Sequence, residues 1–320
     1  MNRARVAGFL ASFLFVPLVP AGAAGPAVIA LIAPASAPPF WLAVLRGAQR
    51  AARDLDVTVR FEAPETDAAV SPAAAADEQA ALVSAALVGS PSVLCIDALD
   101  SARIIPLLQK ARRAKIPVIG FDEGVASPVV LATAATDNAA AASLAANKMA
   151  ALLGGSGTVG VIARDQASRT GIDRRDGFVN EMRRRYPGIR IAGPSYSGGD
   201  SAVAAAQAKA MIQADPDLRG LFATDEASAA GILSAVQELD AGGRLILIGF
   251  DSGQAQVDAV RSGRMAGAVT QDPIRIGYKT VEAAVDVLNG RRVPRRIDTG
   301  FHWYDRTNID DPSIAAILHP

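Results

Sequence analysis

Short runs rich in β-branched and aliphatic residues recur along the chain, and between most of them lies a segment long enough for a helix. Runs that are apolar throughout suit strands buried on both faces, and strands separated by helices pair in parallel because each helix returns the chain to its starting side. The alternation therefore predicts an α/β protein of the doubly wound kind, with parallel sheets covered on both faces. Strands are expected at 28–32, 57–61, 93–96, 118–121, 129–132, 158–162, 190–192, 221–223, 245–250 and 266–270. The first helix is expected at 40–55, with Leu42, Leu45, Ala48, Ala52 and Leu55 on one face. Ala-rich stretches at 73–76, 139–146 and 202–210 read as helices by propensity. The two halves share this βα rhythm without a repeat of 20 to 50 residues evident as a motif.

The first 24 residues differ from the rest. Arg3 and Arg5 precede an apolar run at 6–19, and Ala21, Ala23 and Ala24 offer small cleavage-site residues, the pattern of a secretory signal peptide. The run is short for a bilayer span and is broken by Pro17, and no cysteine follows it to accept a lipid. Without residues 1–24 the chain keeps 30 basic against 32 acidic residues, a net charge of −2 that gives no footprint for nucleic acid. Its lone cysteine, Cys95, lies inside an apolar run and reads as a small buried hydrophobe. With half its residues hydrophobic, a chain of this length favours two lobes over one.

Doubly wound sheets bind ligands beyond the carboxyl ends of their strands. The residues just past the expected strands include Asp97, Asp122, Glu123, Asp165, Asp225 and Asp251. Each also suits the N-cap of a following helix. Phe40 and Trp41 are harder to explain by capping, since two adjacent aromatics in a chain with 5% aromatic residues follow Pro38 and Pro39 at the first βα junction. Catalytic motifs are sparse. The run from Gly155 to Gly160 fits G-x-G-x-x-G but precedes a strand, so it reads as a turn and not a dinucleotide site. The two histidines, His302 and His319, are too few for a zinc site or a histidine-based triad. No metal, cofactor or catalytic residue is expected. Asp122 with Asp251 is the one carboxylate pair that a glycoside hydrolase reading could use.

Taken in order, APASAPPFWLAVLRGAQRAA after the first strand, VLCIDALDS (93–101), IPVIGFDEG (116–124), ATDN (135–138), RRDGF (174–178), LFATDEASAAGIL (221–233), LILIGFDS (245–252) and AVTQDPIRIG (268–277) resemble the ribose-binding-protein-like periplasmic binding proteins over nearly the whole chain after residue 24. The effector domain of LacI-type repressors shares that fold, but a signal peptide stands here where a helix-turn-helix would lie. The resemblance implies a periplasmic binding protein-like I fold: two doubly wound parallel-sheet lobes joined by a three-strand hinge. Residues 25–135 plus 272–298 would form the first lobe and 136–271 plus 299–320 the second, with crossovers near Ala135, Gln271 and Thr299. It also implies a periplasmic, monomeric, non-enzymatic substrate-binding component of an ABC transporter, which closes on a sugar and is recognised by a membrane permease. A ligand-sensing role on a chemoreceptor or sensor kinase is the alternative.

The family's ligand positions fall on Phe40 and Trp41 as stacking walls, Asp97, Asp122 and Glu123 from the first lobe, Arg174, Asp225 and Asp251 from the second, and Gln271 at the hinge. Several positions depart from sugar-binding relatives: Pro38 in place of Asn, Glu123 in place of Arg, Asp97 and Asp225 in place of amides, and Gly199 where ribose binders supply another aromatic. Five carboxylates against one obvious cation, Arg174, disfavour an anionic ligand. Two like charges at 4 Å repel by about 4 kcal/mol at an effective dielectric of 20. The expected ligand is a neutral sugar or polyol, or one carrying an amine. In the closing segment, Trp303 is expected to pack and not to touch ligand.

Overall fold

The computed structural model describes residues 26–68 and 70–319, so the expected signal peptide lies outside the described residues. The chain first lays down β1 (Val28–Ile32), α1 (Pro39–Asp54), β2 (Thr58–Glu62), α2 (Pro72–Val88), β3 (Val93–Ile96), α3 (Ser101–Arg113), β4 (Val118–Phe121) and β5 (Val130–Ala135). It then forms α4 (Asn138–Leu152), β6 (Gly157–Ala163), α5 (Arg169–Arg185), β7 (Ile189–Tyr196), α6 (Ser201–Ala214), β8 (Leu218–Ala223), α7 (Glu226–Glu238), β9 (Ile246–Phe250), α8 (Gln254–Ser262) and β10 (Gly267–Gln271). It closes with α9 (Pro273–Leu288), β11 (Arg296–Asp298), β12 (Phe301–Tyr304) and α10 (Pro312–Ala315).

Two six-stranded sheets result, ordered β11-β5-β4-β3-β1-β2 and β12-β10-β9-β8-β6-β7. Each carries an apolar cluster on either face: Ile29, Leu31, Val93 and Phe121 on one side of the first sheet, Ile32, Leu94, Ile96 and Leu108 on the other. In the second sheet Leu221, Leu247 and Tyr304 lie opposite Phe178, Phe222 and Phe250. Cys95 is fully buried in the first sheet, and burial raises its thiol pKa. The chain passes between sheets after β5, after β10 and between β11 and β12.

The strand orders are the same when β1–β5 are matched to β6–β10 and β11 to β12, so the sheets are topological twins. One difference marks the edge: β11 runs parallel to β5, whereas β12 runs antiparallel to β10. The short turn at Thr299 and Gly300 carries the chain directly from one sheet to the other, and Gly300 takes a φ of 82° there. Neither edge strand was among the runs picked out by composition, because three or four residues with Arg296 and His302 among them do not read as an apolar run. The twinning also shows a short repeat, Gly-Phe-Asp-x-Gly at 120–124 and 249–253, at the ends of β4 and β9.

The buried face of α1 differs from the expectation: Ala43, Val44, Gly47, Ala48 and Ala51 are buried while Leu42 is 42% exposed. The reason is close backbone packing against α9. A Cβ on Gly47 would collide with the Ile274 carbonyl, and one on Gly277 with the Val44 carbonyl. A seam of small residues, and not the leucine stripe, therefore faces inward. Among the described residues no helix is long and apolar enough to cross a membrane.

Candidate functional site

The carboxyl ends of the central strands deliver the polar residues. Asp122 and Asp251, the aspartates of the repeated Gly-Phe-Asp, sit at φ of 50° and 72°, a left-handed conformation that aspartate tolerates better than most residues. Each backbone N–H donates to the neighbouring strand, Asp122 to the Ala134 carbonyl (2.9 Å) and Asp251 to that of Val269 (2.8 Å). The turn throws each carboxylate beyond its strand.

Around Asp251 the second lobe and two crossovers form a closed ring of hydrogen bonds. Arg174 Nη1 donates to Asp251 Oδ2 (3.2 Å) and Arg174 Nε to Asn138 Oδ1 (2.7 Å). Asn138 Nδ2 donates to the Thr136 carbonyl (3.2 Å), and the Thr136 hydroxyl to Gln271 Oε1 (3.0 Å). Gln271 Nε2 closes the ring on Asp251 Oδ1 (2.9 Å). Arg174 donates further to the Thr224 carbonyl (3.1 Å), and its guanidinium lies 3.9 Å over the Phe250 ring. The Tyr304 hydroxyl donates to the Asp251 carbonyl (2.9 Å). A planar guanidinium serves three acceptors in fixed directions while lying flat on the Phe250 ring, a combination that a lysine ammonium does not offer. Thr136 and Gln271 stand at two of the passages between lobes, so this wall is wired to the hinge. The sequence reading named Asp251, Arg174 and Gln271 but passed over Thr136 and Asn138, although both lie in its ATDN motif.

The first lobe is different. Buried Gln79 holds the ends of β1 and β3 together by donating to the carbonyls of Ala33 (3.0 Å) and Asp97 (2.7 Å). Asp97 is buried, and its Oδ1 accepts from the Gly124 N–H (3.2 Å). Burial pushes its pKa well up, helped by the charges of Asp122 and Glu123. Asp122 keeps partial exposure as a residue, yet its Oδ1 is shut off from solvent and has no hydrogen-bond partner. Loss of hydration pushes its pKa up to about 7 against the pull of Arg174, and the charges of Glu123 and Asp251 add to the rise. Phe40 and Trp41 open α1 at the same end of the lobe, edge to face at 4.8 Å, with Trp41 also 6.2 Å from Phe121.

Two expected site residues are engaged within the protein. Asp225 caps α7, its Oδ1 accepting from the Ser228 N–H (3.0 Å) and its Oδ2 from the Ser228 hydroxyl (2.6 Å). Glu123 reaches across to the second lobe and accepts from the first N–H groups of α5, those of Arg169 and Thr170 (3.0 Å to the latter). The carboxylate surplus read from the sequence is thus mostly neutralised: Asp251 by Arg174, Asp225 by a helix cap, Glu123 by a helix terminus. Arg164, after β6, is a second cation near Asp122; its guanidinium lies against Gly199, where a Cβ would stand 3.3 Å from Cζ. Trp303 packs away from these groups, its indole N–H donating to Asp305 (2.7 Å). Among the described residues no cluster of His, Cys, Asp and Glu could hold a metal ion.

Residues 29–292 match the periplasmic binding protein domain family. A ribose import binding protein of Salmonella typhimurium is 26% identical over 293 residues, covering 92% of this chain and 95% of that protein. Two solved structures from Agrobacterium vitis, both ABC transporter solute binding proteins, superpose closely. One, bound to α-D-tagatopyranose, has a TM-score of 0.81 at 28% identity and covers 92% of this chain and 99% of its own. The other, with D-fucose, has a TM-score of 0.78 at 29% identity and covers 91% and 99%.

Proposed function

The chain belongs to the periplasmic binding protein domain family, and from that premise we propose that it captures a small neutral sugar or polyol between its lobes and hands it to the permease of an ABC transporter. The observation that carries the reading is the pairing of a finished wall with an unfinished one. Asp251, Arg174 and Gln271 are held rigidly by mutual hydrogen bonds, while Asp122 brings a buried, unpartnered oxygen from the other lobe. Sugar hydroxyls, each both donor and acceptor, suit such a site, and the aromatic pair Phe40 and Trp41 offers planes for the C–H face of the ring. With Asp251, Asp225 and Glu123 already engaged and Arg164 close by, nothing in the site requires a charge on the ligand.

Ligand contact is assigned to Asp122, Asp251, Arg174, Gln271, Phe40, Trp41 and Asp97, with Asp225 and Glu123 shaping the walls from behind. The lobes divide at the three passages between sheets, after Ala135, after Gln271 and between Asp298 and Thr299. Closing about these passages gives the permease a form that the open protein lacks, which is how ligand occupancy is communicated. The place of action is the periplasm, as a monomer without a nucleic-acid partner. Hydrolysis has no support in the geometry, because Asp251 is tied to a guanidinium and an amide and is not poised as an acid or base.

Thermal denaturation of ligand-stripped protein lacking residues 1–24, against pentoses, hexoses, polyols, amino sugars and sugar acids, tests the proposal. A ligand at one hundred times its Kd adds about 2.7 kcal/mol to stability and raises Tm accordingly. A response confined to neutral sugars or polyols is expected. Tight binding of a sugar acid, with neutral sugars inert, would overturn it.

A further inference from the structure

The sequence reading set His319 aside, yet the structure buries it: the residue is 5% exposed, and its Nε2 is enclosed with no hydrogen-bond partner. Buried polar atoms are nearly always paired, so an orphaned imidazole nitrogen asks for a partner that the protein does not contain. Its surroundings indicate where that partner would sit. The His319 N–H donates to Ser252 Oγ (3.2 Å), the residue next to Asp251 in the second lobe. Its ring meets the edge of Phe40, from the first lobe, at 5.2 Å and 82°. Ile314 and Ile317, just before it, are buried, and Ile314 belongs to the apolar cluster of the second sheet, so the closing segment rides on that lobe. The imidazole is therefore placed against an aromatic wall of one lobe and the Gly-Phe-Asp turn of the other. Asp122 Oδ1, likewise unpartnered, comes from the opposite lobe, and both groups lie in the field of the Asp251 carboxylate.

We propose that His319 is a ligand-contact residue of the cleft, its Nε2 hydrogen-bonding a hydroxyl of the bound sugar, so that the closing segment of the chain contributes to sugar specificity. This rests on the reading of the cleft as a sugar site. Burial lowers the pKa of the imidazole, against the pull of Asp251, which favours the neutral ring near pH 7. A neutral imidazole offers one donor and one acceptor, matching the dual character of a hydroxyl. The same ring touches Phe40, so its full set of contacts exists only when the lobes are together.

The test compares the native protein with H319F, which keeps an aromatic ring against Phe40 but has no nitrogen, and H319Q, which keeps a donor and an acceptor. Calorimetric titrations with D-ribose, D-tagatose and D-fucose should show H319F binding about tenfold more weakly than the native protein, and H319Q within about threefold of it. The Tm of unliganded H319F should be unchanged or higher, since a buried unpaired atom is removed. Imidazole nitrogen resonances of the native protein give a reading free of any folding defect. The chain has two histidines, and the sugar should move the signal of buried His319 while leaving exposed His302 in place. Native affinity in H319F, or an unmoved His319 resonance in the saturated native protein, overturns the assignment alone. Failure of the native protein to bind these three sugars or any other neutral sugar or polyol of the thermal panel overturns the assignment together with the reading of the cleft beneath it.

Discussion

The tripeptide Gly-Phe-Asp ends β4 in one lobe and β9 in the other, with the same left-handed aspartate, the same kind of backbone bond to the neighbouring strand and opposite surroundings. Phe250 carries the Arg174 guanidinium on its face, and Asp251 has both carboxylate oxygens occupied. Phe121 faces Trp41, and Asp122 leaves Oδ1 buried and unpartnered. One backbone device, used twice, thus yields an aspartate whose two carboxylate oxygens are both engaged before any ligand arrives and an aspartate whose Oδ1 is not. Rigid placement of the second lobe's donors lowers the ordering cost of binding, while the orphan in the first lobe gives a ligand something to satisfy.

The comparison breaks most violently if the second wall is made as incomplete as the first. R174M strands Asp251, whose side chain is 13% exposed, and D251N strands Arg174, at 7%. Leaving one partner of a buried pair without the other costs about 3–5 kcal/mol. Urea unfolding of the unliganded variants should show losses of that order, with sugar binding abolished. Losses below about 1 kcal/mol would mean that the ring does not hold the wall together.

That ring also marks the limit of what could be read from the sequence. Strand ends were legible because an apolar run followed by aspartate is a local pattern, and the parallel order followed from the helices between runs. The ring was not, because Thr136 and Asn138 flank Asp137, the N-cap of α4, and look like capping residues; their partners stand up to 135 residues away. The inward face of α1 was misjudged because a glycine seam, and not leucines, allows the backbones of α1 and α9 to touch. Arg164 and His319 gave no local signal at all, since each matters through what the other elements bring beside it. The repeated Gly-Phe-Asp was visible in the letters but gained meaning only from the twin sheets.

Removing the ionisable group from the first wall is the next largest change. D122N replaces a carboxyl whose pKa is pushed up to about 7 with an amide that never ionises. Because the folded value lies above the unfolded value of about 3.9, this group's contribution to the stability of the unliganded protein is full below about pH 4 and is lost as pH rises to about 7. The difference between native and D122N stability curves should slope down across that window and flatten above it. Sugar hydroxyls donating to the ionised carboxylate would make native binding tighten as pH rises through about 7, with proton release measurable by calorimetry in buffers of different ionisation enthalpy. D122N should bind roughly 10- to 100-fold more weakly, the value of a charge-assisted hydrogen bond. Affinity that falls through the same pH range would make the protonated carboxyl the donor.

Glu123 separates the two lobes in another way, since it follows the first aspartate where Ser252 follows the second, and unlike Ser252 it bridges to the opposite lobe. A carboxylate on the first N–H groups of a helix is worth about 1 kcal/mol. E123A should therefore leave unfolding stability nearly intact but shift the lobes toward the open form, weakening sugar binding about fivefold by lowering the binding-competent fraction. Small-angle scattering of the unliganded protein should give a larger radius of gyration for E123A. An unchanged radius with unchanged affinity would remove Glu123 from the closing equilibrium.

The smallest effect sharpens the comparison most, because it concerns a buried aspartate whose removal should hardly be felt. Burial, then the charges of Asp122 and Glu123, raise the Asp97 pKa well above its ordinary value, which favours the protonated carboxyl. A protonated carboxyl and a primary amide have nearly the same shape, and an asparagine oxygen can still accept from the Gly124 N–H as Asp97 Oδ1 does. D97N should cost less than about 0.5 kcal/mol at pH 7 in the same urea assay that shows several for D251N. It should also flatten the loss of stability that native Asp97 contributes as pH rises above about 4, the sign expected of a carboxyl whose folded pKa is raised. If D97N instead costs as much as D251N, Asp97 is ionised in the folded protein and must hold a cation that the first lobe does not itself supply. The first wall would then be built, like the second, around a buried ion pair.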